Sequence, residues 1–229
     1  MNNEILLILT LVCEYTCVVA AYKIFGKTGL MAWTVIATLL SNIEVLILVD
    51  AFGMEMTLGN VLFATTFLVT DVLSEMYGKK DATTAVYLGI AASLVFMCVS
   101  YSWMQYLPSE NDFAFSSMEV IFSNTPRLII ASLSVYAISQ IIDVKLYHKW
   151  WEFTEKKTGD KRSGLWLRNN GSTLISQLIN AVLYNIFAFA GIYDTGTLIS
   201  IIFSTYVIYI VTSLCDTPFV YWCRKIGSN

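Results

Sequence analysis

The chain has 229 residues, of which 56% are hydrophobic and 14% charged, and its formal net charge is −3. Soluble domains carry roughly a quarter charged residues, so this deficit excludes an ordinary soluble protein. The slightly acidic balance argues against a nucleic-acid partner. The single histidine, His148, excludes a multi-histidine metal site, and the five cysteines form no CxxC pair. We therefore expect no metal and no cofactor.

Seven apolar runs, taken in chain order, are each long enough to cross a bilayer core of roughly 30 Å as a helix. They cover about residues 4–24, 30–50, 58–78, 82–107, 126–146, 167–191 and 197–222. The sequence therefore predicts an all-α fold, a polytopic membrane helical bundle with seven transmembrane helices. This bundle forms a single transmembrane domain over residues 1–229 and is embedded in the lipid bilayer.

Lysine and arginine residues predict the orientation of the bundle. Thirteen of the fourteen lie in the links after the first, third and fifth runs or in the C-terminal tail, whereas the other links are acidic or neutral. Because cytoplasmic loops are rich in Lys and Arg, we expect the N-terminus outside and the C-terminus in the cytoplasm. The predicted location is the inner or plasma membrane, as a multi-pass protein.

Polar side chains inside apolar runs are costly in hydrocarbon, so they usually face the bundle interior or a cavity. In the third run, Asp71 and Glu75 lie one helical turn apart on the same face. We interpret Asp71 as a group that binds a ligand or a proton. Glu75 is either a gating residue or a structural carboxylate neutralised by Lys79 at i+4.

The fifth and sixth runs each carry a polar stripe at helical spacing. Tyr136, Gln140 and Asp143 share one face of the fifth run. Arg127, near its start, either pairs with an acidic or anionic group or anchors the outer surface. The stripe of the sixth run predicts a cavity lining, although its small members also suit a packing seam. That stripe consists of Asn169, Thr173, Ser176, Gln177, Asn180 and Tyr184.

Carboxylates and amides together suit a neutral or weakly cationic solute rich in N–H donors, because a carboxylate accepts two parallel N–H bonds. The predicted substrate-binding residues are Asn42, Asp71, Tyr136, Gln140, Asp143, Thr173, Gln177 and Asn180. The predicted gating or supporting residues are Glu75, Arg127, Asn170 and Asp216. Glu14 is isolated in the first run, where we expect a structural or interhelical role, and with Glu75 it is a candidate for a proton-coupled carboxylate.

Three stretches of the sequence resemble the queuosine precursor transporter family of bacterial membrane proteins. They are SNIEVLILVDAFGMEMTLGNVLFATTFLVTDVLSEMYGKK (41–80), RLIIASLSVYAISQIIDVKLYHKWW (127–151) and LWLRNNGSTLISQLINAVLYNIFAF (165–189). The family hallmarks read here as Thr70, Asp71, Glu75, Tyr77 and Gly78, then Arg127, Gln140 and Asp143, then Ser172 and Thr173. The resemblance covers about residues 35–225, and Ser139 stands where many relatives have glycine.

The resemblance implies import of deazaguanine bases into the cytoplasm for queuosine, a tRNA modification. The substrate would be a purine-like base such as the cyano base preQ0, the aminomethyl base preQ1 or queuine. The resemblance also implies a six-helix core over residues 29–225, similar to the substrate-binding subunits of energy-coupling-factor vitamin transporters. Residues 1–28 would then be an added N-terminal helix.

Other interpretations stay open at this point. The chain could be the substrate-binding subunit of an energy-coupling-factor importer for a related heterocycle or vitamin, with a separate ATPase partner. Paired aspartates also suit an intramembrane hydrolase, but no protease motif or zinc signature is present, so we predict that the chain is not an enzyme. A structural protein without a ligand would tolerate alanine at Asp71 and Gln177. Small residues in the fourth run permit a homodimer.

Overall fold

A computed structural model describes residues 2–122 and 126–227, apart from the side chains of residues 55 and 126–129. Within these ranges, seven α-helices and one two-stranded sheet follow one another along the chain. They are α1 Asn3–Glu44, β1 Leu48–Ala51, β2 Met54–Thr57, α2 Gly59–Tyr77, α3 Lys79–Trp103, α4 Phe115–Phe122, α5 Pro126–Thr158, α6 Leu165–Phe189 and α7 Thr195–Gly227.

Among the described residues, five helices are long and apolar enough to cross a membrane, namely α1, α3, α5, α6 and α7. This confirms the prediction of a polytopic helical membrane protein. The helix α2 lies at the centre of the bundle, where residues 64–74 are all buried. The seven-span count, the domain boundaries and the likeness to energy-coupling-factor subunits stay predictions.

The long helix α1 is interrupted at Gly26, whose backbone is non-helical at φ 57° and ψ −136°. Glycine reaches this region without the steric cost of a side chain. The interruption divides α1 into residues 3–25 and 27–44, so the predicted break between the first two apolar runs is present. A side chain at Gly26 would also meet the hydroxyl group of Tyr77.

The prediction that the second apolar run continues as a helix to residue 50 is wrong. Helix α1 ends at Glu44, and residues 48–57 form an antiparallel hairpin. The two turn residues, Phe52 and Gly53, both have positive φ. Turns of this kind match the twist of paired strands, which explains why the chain leaves the helical conformation here.

The two ends of the bundle differ in charge. At the hairpin end, Asn3 Nδ2 donates to the carbonyl oxygen of Asp50 at 2.9 Å. At the opposite end, Lys27 and Asp81 form an ion pair at 3.2 Å beside the break in α1. The basic residues that predict the cytoplasmic side gather at this second end, which we call the charged end. The orientation of the termini across the membrane stays a prediction.

The small residues of α3 lie inside the bundle. Ala82, Ala85, Gly89 and Ser93 are all buried. At Gly89 an added side chain would collide with the hydroxyl group of Tyr136 on α5. This face is packed within one bundle, as close helix approach requires, and a homodimer stays a prediction.

Candidate functional site

Polar side chains of α2, α5, α6 and α7 meet at the centre of the bundle and form what we call the buried polar layer. Helical spacing brings them there, because residues three or four apart share a face. Its members are Thr66, Thr70, Asp71, Gln140, Asp143, Asn169, Asn170, Thr173, Ser176, Gln177, Asp216 and Thr217, all of them buried. Five of the eight predicted substrate-binding residues belong to this layer.

Asp71 on α2 and Asp143 on α5 lie close enough within the layer to interact with each other. Thr173 Oγ1 donates to Asp71 Oδ2 at 3.1 Å, and Ser176 Oγ donates to Asp143 Oδ1 at 2.8 Å. The other oxygens, Asp71 Oδ1 and Asp143 Oδ2, receive no hydrogen bond from a described protein donor. Because adjacent buried carboxylates repel each other, the pair requires a shared proton or donors from a bound molecule.

Gln177 on α6 is completely buried, and neither end of its amide has a partner among the described residues. Leaving a buried polar group unpaired costs roughly 1–3 kcal/mol. Gln140 on α5 differs, because its Nε2 donates to Thr66 Oγ1 at 2.6 Å and its oxygen accepts from Thr70 Oγ1 at 3.3 Å. Gln140 is thus engaged by α2, whereas Gln177 retains its full hydrogen-bonding capacity for a ligand.

Asp216 on α7 forms a separate part of the layer. Asn169 Nδ2 donates to Asp216 Oδ1 at 2.7 Å, and Asn170 Nδ2 donates to Thr217 Oγ1 at 2.8 Å. Across residues 2–122 and 126–227, no three His, Cys, Asp or Glu side chains converge closely enough to hold a metal ion. The layer therefore contains one facing carboxyl pair and a third carboxyl group that joins α6 to α7.

Glu75 pairs with Arg168 of α6, one helical turn from Asp71 toward the charged end. Arg168 Nη2 and Nε lie 2.7 and 2.9 Å from Glu75 Oε2, and the arginine is fully buried. Tyr147 donates to the same oxygen at 2.9 Å, and the guanidinium lies over the Trp151 ring at 4.3 Å. The interpretation of Glu75 as neutralised by Lys79 is therefore wrong, because Arg168 takes that role.

Sequence reasoning missed Arg168 and Tyr147, although helical spacing contains a signal for both. Arg168 precedes the hallmark residue Ser172 by four residues, and Tyr147 follows Asp143 by four. Because Arg168 ends a basic link, composition alone favours a loop residue there. The predicted gating residue Arg127 lies outside the described side chains.

Two adjoining cavities lie between the buried polar layer and the hairpin. The outer cavity, of about 450 Å³, is bounded by the hairpin, α4 and the hairpin-side ends of α3, α6 and α7. The inner pocket, of about 70 Å³, lies closer to the layer and shares Asn42, Asn60 and Tyr209 with the outer cavity. The other three predicted substrate-binding residues, Asn42, Tyr136 and Asn180, line the inner pocket.

Three aromatic rings, which we call the aromatic partition, line the inner pocket, and two of them come one helical turn before Thr66 and Gln140 of the layer. The Phe63 ring centroid is 5.8 Å from that of Tyr136 and 6.5 Å from that of Tyr209. The Tyr209 hydroxyl donates to Asn60 Oδ1 at 3.2 Å, which holds the third ring in place. Neither aspartate of the facing pair is among the described lining residues of the two cavities. The layer is buried, with the aromatic partition next to it on the hairpin side and the Glu75–Arg168 pair at the charged end.

Comparisons with known proteins match this chain to proteins described as transporters. A family model described as "Putative vitamin uptake transporter" matches residues 57–223. A relative from Bacillus subtilis (strain 168), named "Probable queuosine precursor transporter", is 35% identical over 229 residues, which cover 100% of this chain and 98% of the relative. A relative of the same name from Haemophilus influenzae is 29% identical over 107 residues, or 44% of each chain. No solved structure matches. Both relatives are named as transporters, which agrees with the prediction that the chain is not an enzyme.

Proposed function

We propose that this chain, which belongs to the vitamin uptake transporter family, imports queuosine precursors and binds the deazaguanine base in its buried polar layer. The observation that carries the proposal is a set of buried groups without protein partners, namely the free oxygens of Asp71 and Asp143 and the amide of Gln177. A guanine-like ring edge offers adjacent N–H donors beside a carbonyl acceptor. Carboxylates and an amide are the complements of that edge.

Each group has a distinct role in this proposal. One carboxylate of the pair accepts two parallel N–H bonds from the ring edge, and Gln177 bonds the neighbouring carbonyl group. Thr173 and Ser176 fix the orientation of the carboxylates through their hydroxyl groups. The 35% identical relative, named for queuosine precursors, supports the substrate class.

The charges in the layer favour one precursor over another. Arg168 is the one buried cation among the described residues, and it is already paired with Glu75. The aspartates therefore have no protein cation to neutralise them. We expect the aminomethyl base preQ1, which carries a positive charge, to be imported at lower external concentration than the neutral cyano base preQ0.

The enclosure of the layer suggests the transport route. If the charged end faces the cytoplasm, as its basic residues predict, the base enters from the hairpin side and crosses the aromatic partition into the layer. It leaves toward the cytoplasm when the Glu75–Arg168 pair separates. This route requires two barriers that open in turn, and the structure contains a candidate for each.

Complementation tests the proposed function. The gene is expressed in cells that cannot make queuosine, preQ0, preQ1 and queuine are supplied separately, and queuosine is measured in tRNA. We expect rescue by the wild type and none by Asp71→Asn, whose amide has only one acceptor oxygen and cannot accept two parallel N–H bonds. Asp81→Asn is the matched control, because Asp81 is a partly exposed carboxylate outside the layer. Failure of every base to rescue, with normal membrane expression, would contradict the proposal.

Uptake by purified protein in liposomes distinguishes a self-sufficient transporter from a substrate-binding subunit that needs a separate ATPase. Uptake of preQ1 without any other protein is expected for a self-sufficient transporter. Uptake that depends on an added ATPase module would instead identify the chain as a substrate-binding subunit. Repeating the assay with Asp71→Asn distinguishes carrier-mediated uptake from leakage of the base through the bilayer.

A further inference from the structure

We propose that the outer cavity is a second binding site, which holds a planar heteroaromatic base before that base reaches the buried polar layer. The inference rests on the proposed import of such bases. It concerns different residues, however, and a different basis of recognition. The layer reads hydrogen-bonding groups with carboxylates, whereas the outer cavity recognises a flat ring without using charge.

The size and lining of the outer cavity carry the first step. Its volume of about 450 Å³ lies within the range of small-molecule sites, roughly 300–1,000 Å³. Six of the 22 described lining residues carry aromatic rings, beside eight aliphatic or Met side chains and eight amide or hydroxyl side chains. The rings belong to Phe96, Phe122, Tyr184, Phe189, Tyr193 and Tyr209. Aromatic side chains stack on any base, because every base has a π-face.

The absence of charge carries the second step. None of the described residues that line the outer cavity is charged. Its amides, such as Asn60 and Asn185, are already engaged in part, since Asn60 Oδ1 accepts from Tyr209 and Asn185 Nδ2 donates to the carbonyl oxygen of Ala181. Among the described lining residues, recognition therefore depends on ring stacking and on neutral polar groups, and discrimination between bases is left to the aspartates.

The aromatic partition carries the third step, because it makes the cavity and the layer separate compartments. Tyr136 can occupy its place in the partition because Gly89 on α3 leaves room for the hydroxyl group. The partition rings stand between the outer cavity and the facing aspartates, which line neither cavity. A base can thus occupy the outer cavity without touching the carboxylates.

Equilibrium binding to the purified full-length chain in lipid nanodiscs tests the inference, with radiolabelled preQ0 and radiolabelled adenine as probes. Adenine is flat but lacks the guanine-like N–H edge. We expect Asp71→Asn to lose the tighter class of preQ0 binding and to retain a weaker class that also takes adenine. Thr205→Trp, which fills the cavity, should abolish this weaker class and reduce preQ0 uptake at least tenfold.

The control for the bulky substitution is Phe203→Trp, because Phe203 lies on the same helix, is 68% exposed and does not line the cavity. Ser100→Trp fills the outer cavity from α3, does not line the inner pocket, and repeats the test should Thr205→Trp fail to fold, as judged by thermal unfolding. Asp71→Asn protein that binds neither probe would overturn the inference. Wild-type binding and uptake in both folded tryptophan variants would also overturn it.

Failure of the proposed function gives a different result. A wild-type chain that imports no deazaguanine base, yet loses adenine binding when Thr205 is replaced by Trp, would contradict import and support the outer cavity as a binding site. Normal import without any adenine binding would support import and contradict the outer cavity as a binding site. The two proposals are therefore separable with the same set of variants.

Discussion

Breaking the Glu75–Arg168 pair is expected to destabilise the bundle strongly, because removal of either residue leaves the other as an unpaired buried charge. Removing one member of a buried ion pair costs roughly 3–5 kcal/mol. Glu75 accepts from Arg168 at 2.7 and 2.9 Å, from Tyr147 at 2.9 Å, and lies 3.5 Å from Arg224. Glu75→Gln should therefore cost more than Arg168→Met, since Arg224 still faces Glu75 in the second variant.

The corresponding change in melting temperature follows from the size of the chain. Domains of 150–250 residues shift by about 2–4 °C per kcal/mol. A loss of 3–5 kcal/mol then lowers the melting temperature by roughly 6–20 °C, measured by thermal unfolding of the detergent-solubilised protein. The double variant Glu75→Gln/Arg168→Met should be more stable than the sum of the single losses predicts, by about 2 kcal/mol, because it leaves neither charge without its partner.

The ion pair between Lys27 and Asp81 is the matched control. Its side chains are 44% and 25% exposed, so Asp81→Asn should cost only about 0–1 kcal/mol. Single losses at Glu75 and Arg168 that are equally small would refute the reasoning. Strict additivity in the double variant would refute it too, because it would mean that the two charges do not stabilise each other.

Three further substitutions have expected outcomes. Gln177→Leu should raise the stability by about 1 kcal/mol, because it removes an unpaired buried amide, while abolishing preQ1 uptake; a variant that keeps full uptake would exclude Gln177 from the site. Gly89→Ala should displace Tyr136 and cost about 1–3 kcal/mol, with reduced uptake, and a neutral effect in both assays would show that α3 and α5 can separate freely. Gly26→Ala should cost about 1–3 kcal/mol in thermal unfolding, since alanine is strained at φ 57°; unchanged stability would mean that the break in α1 tolerates another conformation.

The sequence predicts the candidate site better than it predicts the connections between helices. Polar residues in an apolar run are conspicuous, and helical spacing then indicates which of them share a face. Asp71, Asp143 and Gln177 were predictable in this way and do meet in the layer. The hairpin at residues 48–57 was not predictable, because a short apolar run in front of a loop is compatible with the end of a helix as well as with a strand.

Arg168 shows a second limit of sequence reasoning. The sequence indicates which residues share a helix face, but not which distant residue pairs with them. Glu75 has a lysine at i+4 and an arginine 93 residues away in the chain, and only the fold brings the arginine within 2.7 Å. The local pair suits an exposed helix, where solvent screens both charges. Once Glu75 is buried at the centre of a bundle, the planar guanidinium satisfies both carboxylate oxygens and is the better partner.

Asp71 and Glu75 lie one helical turn apart and suit different tasks. Asp71 suits ligand binding, and Glu75 suits closure of the charged end. Both are carboxylates on the same face of α2, about 6 Å apart along the helix axis. Glu75 is matched by two arginines and a tyrosine, so its contacts hold four helices, α2, α5, α6 and α7, together at the charged end. Asp71 keeps one oxygen without a protein donor and faces a second carboxyl group in the same condition. A fully bonded carboxylate stabilises one arrangement of the bundle, whereas an incompletely bonded pair gains most when a molecule supplies the missing donors. The two residues therefore suit two successive tasks, and a base that neutralises Asp71 would do so directly beside the pair that must open for its release.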